Sequence, residues 1–303
     1  MSGLNASLGY FLAVGILAAS VRTLLQKWPK FSFLLEFASS FMLVACWLEV
    51  QTIVEVGQWA GGLGPDVTLT MLFALLLTHG VICSNALGNP NLTLQKFLQL
   101  DTPTIPTLLA IAAQFAGAHL AILVALYYWS LELTDMHMIK NLMSRECSTS
   151  LLVSVHQGFF TETVCALVFH LIYLNLRHRS ALIRVPLVAA LLTFFGYTSA
   201  YINPSLSYGL TFHCPGFSFL QYAAVYWLGP FIGMILALLL YMGHIPRIFA
   251  KNLLYFQKTR FKVRKGDKAE KKNWFLTKSF IKEECFEPNL KGREGVCPPN
   301  RGW

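Results

Sequence analysis

Two Asn-Pro dipeptides, Asn89-Pro90 and Asn203-Pro204, are the clearest chemical signal in this sequence. Asparagine is a favoured N-cap of a helix, and proline is favoured at the first helical position. Each dipeptide follows a long apolar segment and begins a short piece that soon reaches another proline or glycine. We therefore expect two half-helices of about three turns, each ~15 Å long and half as long as a ~30 Å hydrocarbon core. Positive helix ends that meet near the midplane of a membrane indicate a pore or a transport site.

The composition is typical of a membrane protein. Of the 303 residues, 55% are hydrophobic and 13% are charged, whereas a soluble domain carries roughly 25% charged residues. The net charge is +9, and 14 of the 24 lysines and arginines lie between Lys251 and Arg301. A basic tail beside membrane spans indicates the cytoplasmic side and disfavours nucleic acid as a partner, and the tail either faces lipid or is simply solvated. The seven cysteines form no C-x-x-C pair, so we expect no metal and no cofactor.

Seven apolar segments are long enough to span a membrane. They are Leu4–Val21, Phe31–Val54, Asp66–Ala86, Thr107–Trp129, Gly158–Leu176, Val185–Ile202 and Tyr222–Gly243. The first segment has neither the basic start nor the cleavage site of a signal peptide, so we expect an additional N-terminal helix.

An internal repeat organises the remaining six segments. Each repeat contains a span with a glutamate (Glu36 or Glu162), a second span, an Asn-Pro half-helix and a third span. We align Gln114-Phe115-Ala116-Gly117 in the first repeat with Tyr226-Trp227-Leu228-Gly229 in the second. Because three spans are an odd number, the second repeat is inverted relative to the first, as in many transport proteins.

This organisation divides the chain into five predicted parts. Residues 1–30 are the N-terminal hydrophobic helix and a basic loop, 31–131 the first repeat, 132–157 an exposed exoplasmic or lumenal loop, 158–246 the second repeat, and 247–303 a basic, disordered cytoplasmic tail.

The paired Asn-Pro half-helices, the two glutamates and the run from Tyr226 to Pro230 resemble the aquaporin family over about Phe31 to Gly243. The third residues of the motifs are Asn91 and Ser205 instead of the usual alanine, and Cys214 lies nine residues after Ser205. That combination is similar to the unorthodox superaquaporin branch of intracellular membranes. The resemblance implies an all-α membrane protein: a right-handed bundle of six transmembrane helices with two re-entrant half-helices, arranged as an inverted repeat and joined by the extra N-terminal helix.

The resemblance also implies roles for particular residues. The pore motif would consist of Asn89, Pro90, Asn91, Asn203, Pro204 and Ser205, and the constriction of Leu69, Leu191, Ala200 and Leu206. Glu36 and Glu162 would accept hydrogen bonds from the re-entrant loops, because an unpaired carboxylate inside a membrane is costly. Glu49 is expected at the membrane boundary.

Cys147 and Cys214 fall on the same exoplasmic or lumenal side of the inverted repeat, where disulfides are permitted. A disulfide between them is one interpretation. Packing of a free Cys214 against a neighbouring span is the other.

The implied function is a passive channel for water and small neutral solutes such as glycerol and hydrogen peroxide. The expected setting is a homotetramer in intracellular membranes, either the endoplasmic reticulum or vesicles, with membrane lipid and no nucleic acid as partners. A non-conducting structural or vesicle-organising protein is the alternative, because the changed third residues could disturb the pore. An enzyme is disfavoured, because Asp66, Asp101 and Asp135 lie at span ends or in loops and offer an intramembrane protease no catalytic pair.

Overall fold

The computed structural model describes residues 3–59, 65–84, 86–144, 154–197, 200–212 and 218–243, and these residues contain helices and no strand. The helices are α1 (Gly3–Leu25), α2 (Ser32–Trp59), α3 (Pro65–Ile82), α4 (Pro90–Leu98), α5 (Thr104–Ser130), α6 (Asp135–Met143), α7 (Val155–Leu176), α8 (Ala181–Tyr197), α9 (Pro204–Thr211), α10 (Phe219–Ala223) and α11 (Gly229–Tyr241). A π-helical turn, Ala224–Leu228, joins α10 to α11. The all-helical prediction is confirmed.

Seven apolar segments reappear as helices. Five are long and apolar enough to cross a membrane: Leu4–Leu25, Ser32–Val56, Thr104–Ser130, Val155–Leu176 and Phe219–Tyr241. Two shorter apolar helices, Asp66–Ile82 and Ala181–Gly196, match the third and sixth predicted segments. Each of these two lies directly before one of the Asn-Pro motifs.

Close helix pairs tie each repeat together through a glycine. A Cβ atom at Gly117 in α5 would lie 2.3 Å from the carbonyl oxygen of Phe37 in α2, and one at Gly233 in α11 would lie 2.3 Å from that of Thr163 in α7. Small residues at such crossings let transmembrane backbones approach closely. The two glycines therefore make α2–α5 and α7–α11 the corresponding pairs of the two repeats.

This packing corrects the sequence alignment of the repeats. Phe37 and Thr163 directly follow Glu36 and Glu162, so the counterpart of Gly117 is Gly233 and not Gly229. Residues four apart share one face of a helix, so spacing alone did not distinguish the two glycines of α11. Gly229 also packs on α7 within the same chain, since a Cβ atom added there would lie 3.2 Å from the carbonyl oxygen of Phe159.

The N-terminal helix α1 lies outside the two repeats and contacts α2 and α3. Near its start, the Ser7 hydroxyl donates to Glu49 in the second half of α2. Near its end, Arg22 Nη1 donates to the carbonyl oxygens of Val81 and Ile82 at the end of α3, at 3.0 and 2.9 Å. The opposite face exposes a stripe of apolar side chains at every fourth position: Leu4, Leu8, Leu12 and Ile16. We infer that α1 runs antiparallel to α2 and presents this stripe to lipid.

The predicted exposed loop over 132–157 contains helix α6. Thr134 caps this helix by accepting from the backbone amide of His137, at 3.4 Å. The His137 side chain is fully buried. The expected loop is therefore helical over 135–143, where His137 is buried against the bundle and most of the other residues stay exposed. Residues 247–303, predicted as a disordered tail, lie outside the described residues.

Candidate pore site

The two Asn-Pro motifs begin the half-helices α4 and α9. Asn89 has extended backbone geometry, and its side-chain oxygen accepts from the backbone amide of Asn91 at 2.9 Å. Asn203 accepts from the amides of Ser205 and Leu206 at 3.1 and 3.4 Å. The half-helices have nine and eight residues, which gives lengths of about 12–14 Å. Both asparagines therefore cap the positive end of a half-helix, as the sequence predicted.

Two carboxylates hold the backbone directly before these motifs. Glu36 accepts from the amides of Leu87 and Gly88, each at 2.9 Å, and also from Gln114 Nε2 at 2.7 Å. Hydrogen bonds to an ionised acceptor are stronger than those between neutral groups. These bonds satisfy the Glu36 carboxylate within the bundle.

Glu162 makes the corresponding contacts in the second repeat. It accepts from the amides of Tyr201 and Ile202 at 2.8 and 2.9 Å. Only 2% of Glu162 is exposed, so the two amides supply the partners that a buried carboxylate requires.

The residue before each motif asparagine has left-handed backbone geometry. Gly88 has φ of 57° and Ile202 has φ of 60°. A Cβ at Gly88 would lie 2.6 Å from Ser39 Oγ, so glycine suits this position for both its conformation and its size. For a β-branched residue the same conformation costs about 1–3 kcal/mol. The Glu162 carboxylate and complete burial of the side chain hold Ile202 in place.

Hydrogen bonds also connect the two motifs to each other. Asn91 Nδ2 donates to the carbonyl oxygen of Ile202 at 3.2 Å. The carbonyl oxygen of Gly88 accepts from Asn203 Nδ2 at 2.8 Å and from Ser205 Oγ at 3.4 Å. Ser205 Oγ also lies 2.9 Å from Asn203 Oδ1. The two unusual third residues therefore form what we call the motif clasp, which joins each half-helix to the loop before the other.

Two side-chain pairs anchor α4 to the surrounding spans. Gln114 Nε2, which also contacts Glu36, donates to Thr93 Oγ1 at 2.9 Å. Gln95 Oε1 pairs with Nδ1 of His170 in α7, and both side chains are buried. The sequence offered no signal for these pairs, because their partners lie 21 and 75 positions apart.

A cavity of about 210 Å³ passes both motif asparagines. Lys96, Tyr173 and Arg184 line its end beside α4. The part beside α9 is lined by Leu43, Trp47, Leu76, Ala200 and Leu206. This assignment of ends follows from α2, where Val44, the neighbour of Leu43, packs against Gly209 of α9. The cavity is therefore basic at one end and apolar at the other.

The structure brings only part of the predicted constriction to this cavity. Ala200 and Leu206 line it, whereas Leu69 and Leu191 do not. Helix α8 presents Leu192, the residue after Leu191, and α3 presents Leu76, which is two turns beyond Leu69. Counting from a motif across a loop leaves the rotation of a helix undefined, and one residue turns the side chain by about 100°. Trp47 of α2 was not among the predicted residues.

A second polar cluster surrounds Glu49, which is 1% exposed; its expected place at the membrane boundary stays a prediction. Its carboxylate accepts from Ser7 Oγ at 2.5 Å and from Trp129 Nε1 at 3.1 Å, and His137 Nε2 lies 2.9 Å away. His137 Nδ1 in turn contacts Thr134 Oγ1 at 2.8 Å. The cluster joins α1, α2, α5 and α6. Its members are far apart in the sequence, so no local pattern predicted it.

Cys147 and Cys214 lie outside the described residues, so the proposed disulfide stays a prediction. Within the residues that the structure describes, no group of three or more His, Cys, Asp or Glu side chains is arranged to hold a metal ion.

Comparison with known proteins gives a consistent result. A family model described as "Major intrinsic protein" matches residues 25–241. Aquaporin-12 of Mus musculus is 42% identical over 275 residues, which cover 88% of this chain and 95% of that protein. Putative aquaporin-12A of Homo sapiens is 40% identical over 274 residues, covering 89% of this chain and 90% of that protein. Aquaporin-11 of Homo sapiens is 30% identical over 251 residues, covering 81% of this chain and 90% of that protein.

Proposed function

The chain belongs to the major intrinsic protein family, and from this premise we propose that it conducts water slowly and admits small neutral solutes such as glycerol and hydrogen peroxide. It is a multi-pass membrane channel of the aquaporin type and not an enzyme. The observation that carries the proposal is the apolar wall beside α9, where Leu206 lines the cavity next to the second motif. Orthodox water-specific members have an arginine at this position.

The side chains that line the cavity support this selectivity. Water that leaves bulk solvent needs replacement hydrogen bonds from a channel wall. The aliphatic or small side chains of Leu43, Ala200 and Leu206 cannot form such a hydrogen bond. The indole N–H of Trp47 is the donor that this group of four lining side chains provides. A wall of this kind slows the passage of water, and it has no charged side chain at the position where an arginine would hinder glycerol.

The centre of the pathway supplies donors and positive potential. In the part of the chain that the structure describes, no protein group accepts from Asn89 Nδ2, and Asn89 lines the cavity. Asn203 has one amide hydrogen committed to Gly88 and one left for a solute. The half-helix dipoles add positive potential at this point, which opposes cations and protons. We therefore expect neutral-solute flux without proton or cation current.

The membrane topology is part of the same proposal. The basic loop at Arg22–Lys30, the loop at Arg177–Arg184 and the basic tail would face the cytoplasm. If α1 crosses the membrane, the N terminus faces the lumen or the exterior. The resemblance to the superaquaporin branch supports an intracellular membrane, and the aquaporin family supports a homotetramer.

Swelling of proteoliposomes tests the function. Purified protein that is monodisperse and correctly inserted should accelerate osmotic water flux moderately over empty liposomes and should also accelerate glycerol entry. A non-conducting structural protein would leave both rates at the level of empty liposomes. Fast water flux with strict exclusion of glycerol would refute the proposed selectivity.

A further inference from the structure

The cavity end beside α4 contains hydrogen-bond donors without matching acceptors. Lys96 lines this end and is half-buried, and among the described residues no carboxylate oxygen lies within 4.0 Å of its ammonium group. Arg184 lines the same end and, among the described residues, donates only to the carbonyl oxygen of Arg177, at 3.5 Å. Tyr173 also lines this end, and its hydroxyl makes no hydrogen bond to another described residue. Two cationic groups and a phenol therefore face one small space.

Acidic groups do not neutralise this space. None of the described residues that line the cavity is an aspartate or a glutamate. Two acids on neighbouring elements are already engaged: Asp101 pairs with Arg177 at 2.5 Å, and Glu36 accepts from three donors of the first repeat. The positive end of α4, at Asn89, faces the middle of the cavity, whereas Lys96 lies in the last turn of α4. Because the described side chains at this end include two cations and no carboxylate, the net field there attracts anions.

We propose that Lys96, Tyr173 and Arg184 form a binding site for a small free oxyanion, with inorganic phosphate as the representative ligand. Arginine and lysine make strong charge-assisted hydrogen bonds with oxyanions, and a phenol adds a neutral donor. The cavity of about 210 Å³ is several times the ~30 Å³ that one water molecule occupies in the liquid. It therefore has room for a tetrahedral oxyanion and some of its hydration water.

The same cavity explains why the anion is held and not conducted. Beyond the motif asparagines, the side chains of Leu43, Leu76, Ala200 and Leu206 give an anion no compensating bonds, and the indole N–H of Trp47 is a single neutral donor. Removing an unpaired charge from water into such surroundings is very costly. A bound oxyanion would therefore close the pathway to water and glycerol while it stays at the basic end. This inference deepens the proposed channel function, and only the closing effect rests on it.

Direct binding tests the site independently of transport. Equilibrium binding of radiolabelled phosphate to the purified full-length protein should saturate, and Lys96→Gln or Arg184→Gln should each weaken it. The loss of one charge-assisted bond corresponds to a Kd about ten- to hundredfold higher. Lys30→Gln, which removes one exposed charge from the adjacent basic loop, should leave the Kd within about twofold. Absence of saturable binding to the unmodified protein, or equal weakening by all three variants, would overturn the site.

Stopped-flow measurements then test closure. In vesicles of neutral phosphatidylcholine, phosphate on the side of the basic end should lower water permeability severalfold relative to gluconate at equal ionic strength, and Lys96→Gln should remove this effect. If phosphate binds but permeability does not change, closure is refuted while the site stands. If inhibition requires anionic lipid and phosphate alone does nothing, a lipid headgroup and not a free anion occupies the site. If the unmodified protein carries no water but binds phosphate normally, the proposed channel function fails and the site does not.

Discussion

The motif clasp predicts that the two unusual third residues contribute unequally to stability, although they occupy equivalent positions in the repeat. In Asn91→Ala, the Ile202 carbonyl oxygen loses the donor at 3.2 Å. Since Ile202 is completely buried, that oxygen is left without a partner, at a cost of about 1–3 kcal/mol. In Ser205→Ala, the Gly88 carbonyl oxygen keeps the stronger bond from Asn203 Nδ2 at 2.8 Å. That change should cost only ~0.5–1 kcal/mol, because the buried Ser40 hydroxyl, which donates to Ser205 Oγ at 3.2 Å, can turn to the carbonyl oxygen of Glu36 one helical turn earlier.

Thermal unfolding of the purified variants in one detergent measures this difference. At about 2–4 °C per kcal/mol for a chain of this size, Asn91→Ala should lower Tm by about 2–12 °C and Ser205→Ala by about 1–4 °C, with the larger drop for Asn91→Ala. Thr78→Ala is a matched control, because its exposed hydroxyl bonds, within the described part of the chain, only to Ala74 of the same helix α3. A Ser205→Ala variant that is as unstable as Asn91→Ala, or less stable, would refute the reasoning from the clasp.

Three further changes test separate parts of the structure. Leu206→Arg should lower glycerol flux more than water flux, because it places a fixed charge and a bulky donor on the apolar wall. Equal reductions of the two fluxes in swelling assays would contradict this prediction. Gly233→Ala should impair folding, since its Cβ would lie 2.3 Å from a backbone oxygen, whereas Gly9→Ala, with nothing within 4 Å, should leave yield and Tm unchanged. Glu49→Leu removes the acceptor that three buried side chains share, which should destabilise the fold by ~3 kcal/mol. Amide hydrogen exchange in α6 should then become faster, and unchanged exchange there would show that the cluster does not hold α6.

Sequence reasoning was most successful where a local pattern has only one physical use. An Asn-Pro pair that follows an apolar segment predicts a capped helix start, and both half-helices begin at the expected proline. It was less successful where rotation about a helix axis decides which side chain meets a neighbour. Leu191 and Leu192 are both plausible pore residues by spacing, and only the packing of α8 distinguishes them. The same uncertainty of rotation explains the mistaken pairing of Gly117 with Gly229.

Residues with distant partners lay beyond any local pattern, and the loops before the two motifs illustrate the reason. At the same place in each repeat, one chain position is Gly88 and the other is Ile202, and both are left-handed. Sequence rules associate that conformation with glycine, so the isoleucine gives no hint of it. The contacts that stabilise it come from distant parts of the chain: the carboxylate of Glu162, 40 positions away, and the side-chain amide of Asn91, 111 positions away. Both repeats thus have the same left-handed backbone conformation and a carboxylate that binds it, but only the first repeat has the glycine from which that conformation could be predicted. A glycine at 202 would relax the backbone but remove a fully buried side chain from beside Phe169 and Ala166, so the strained isoleucine is stabilised by its packing as much as by the clasp.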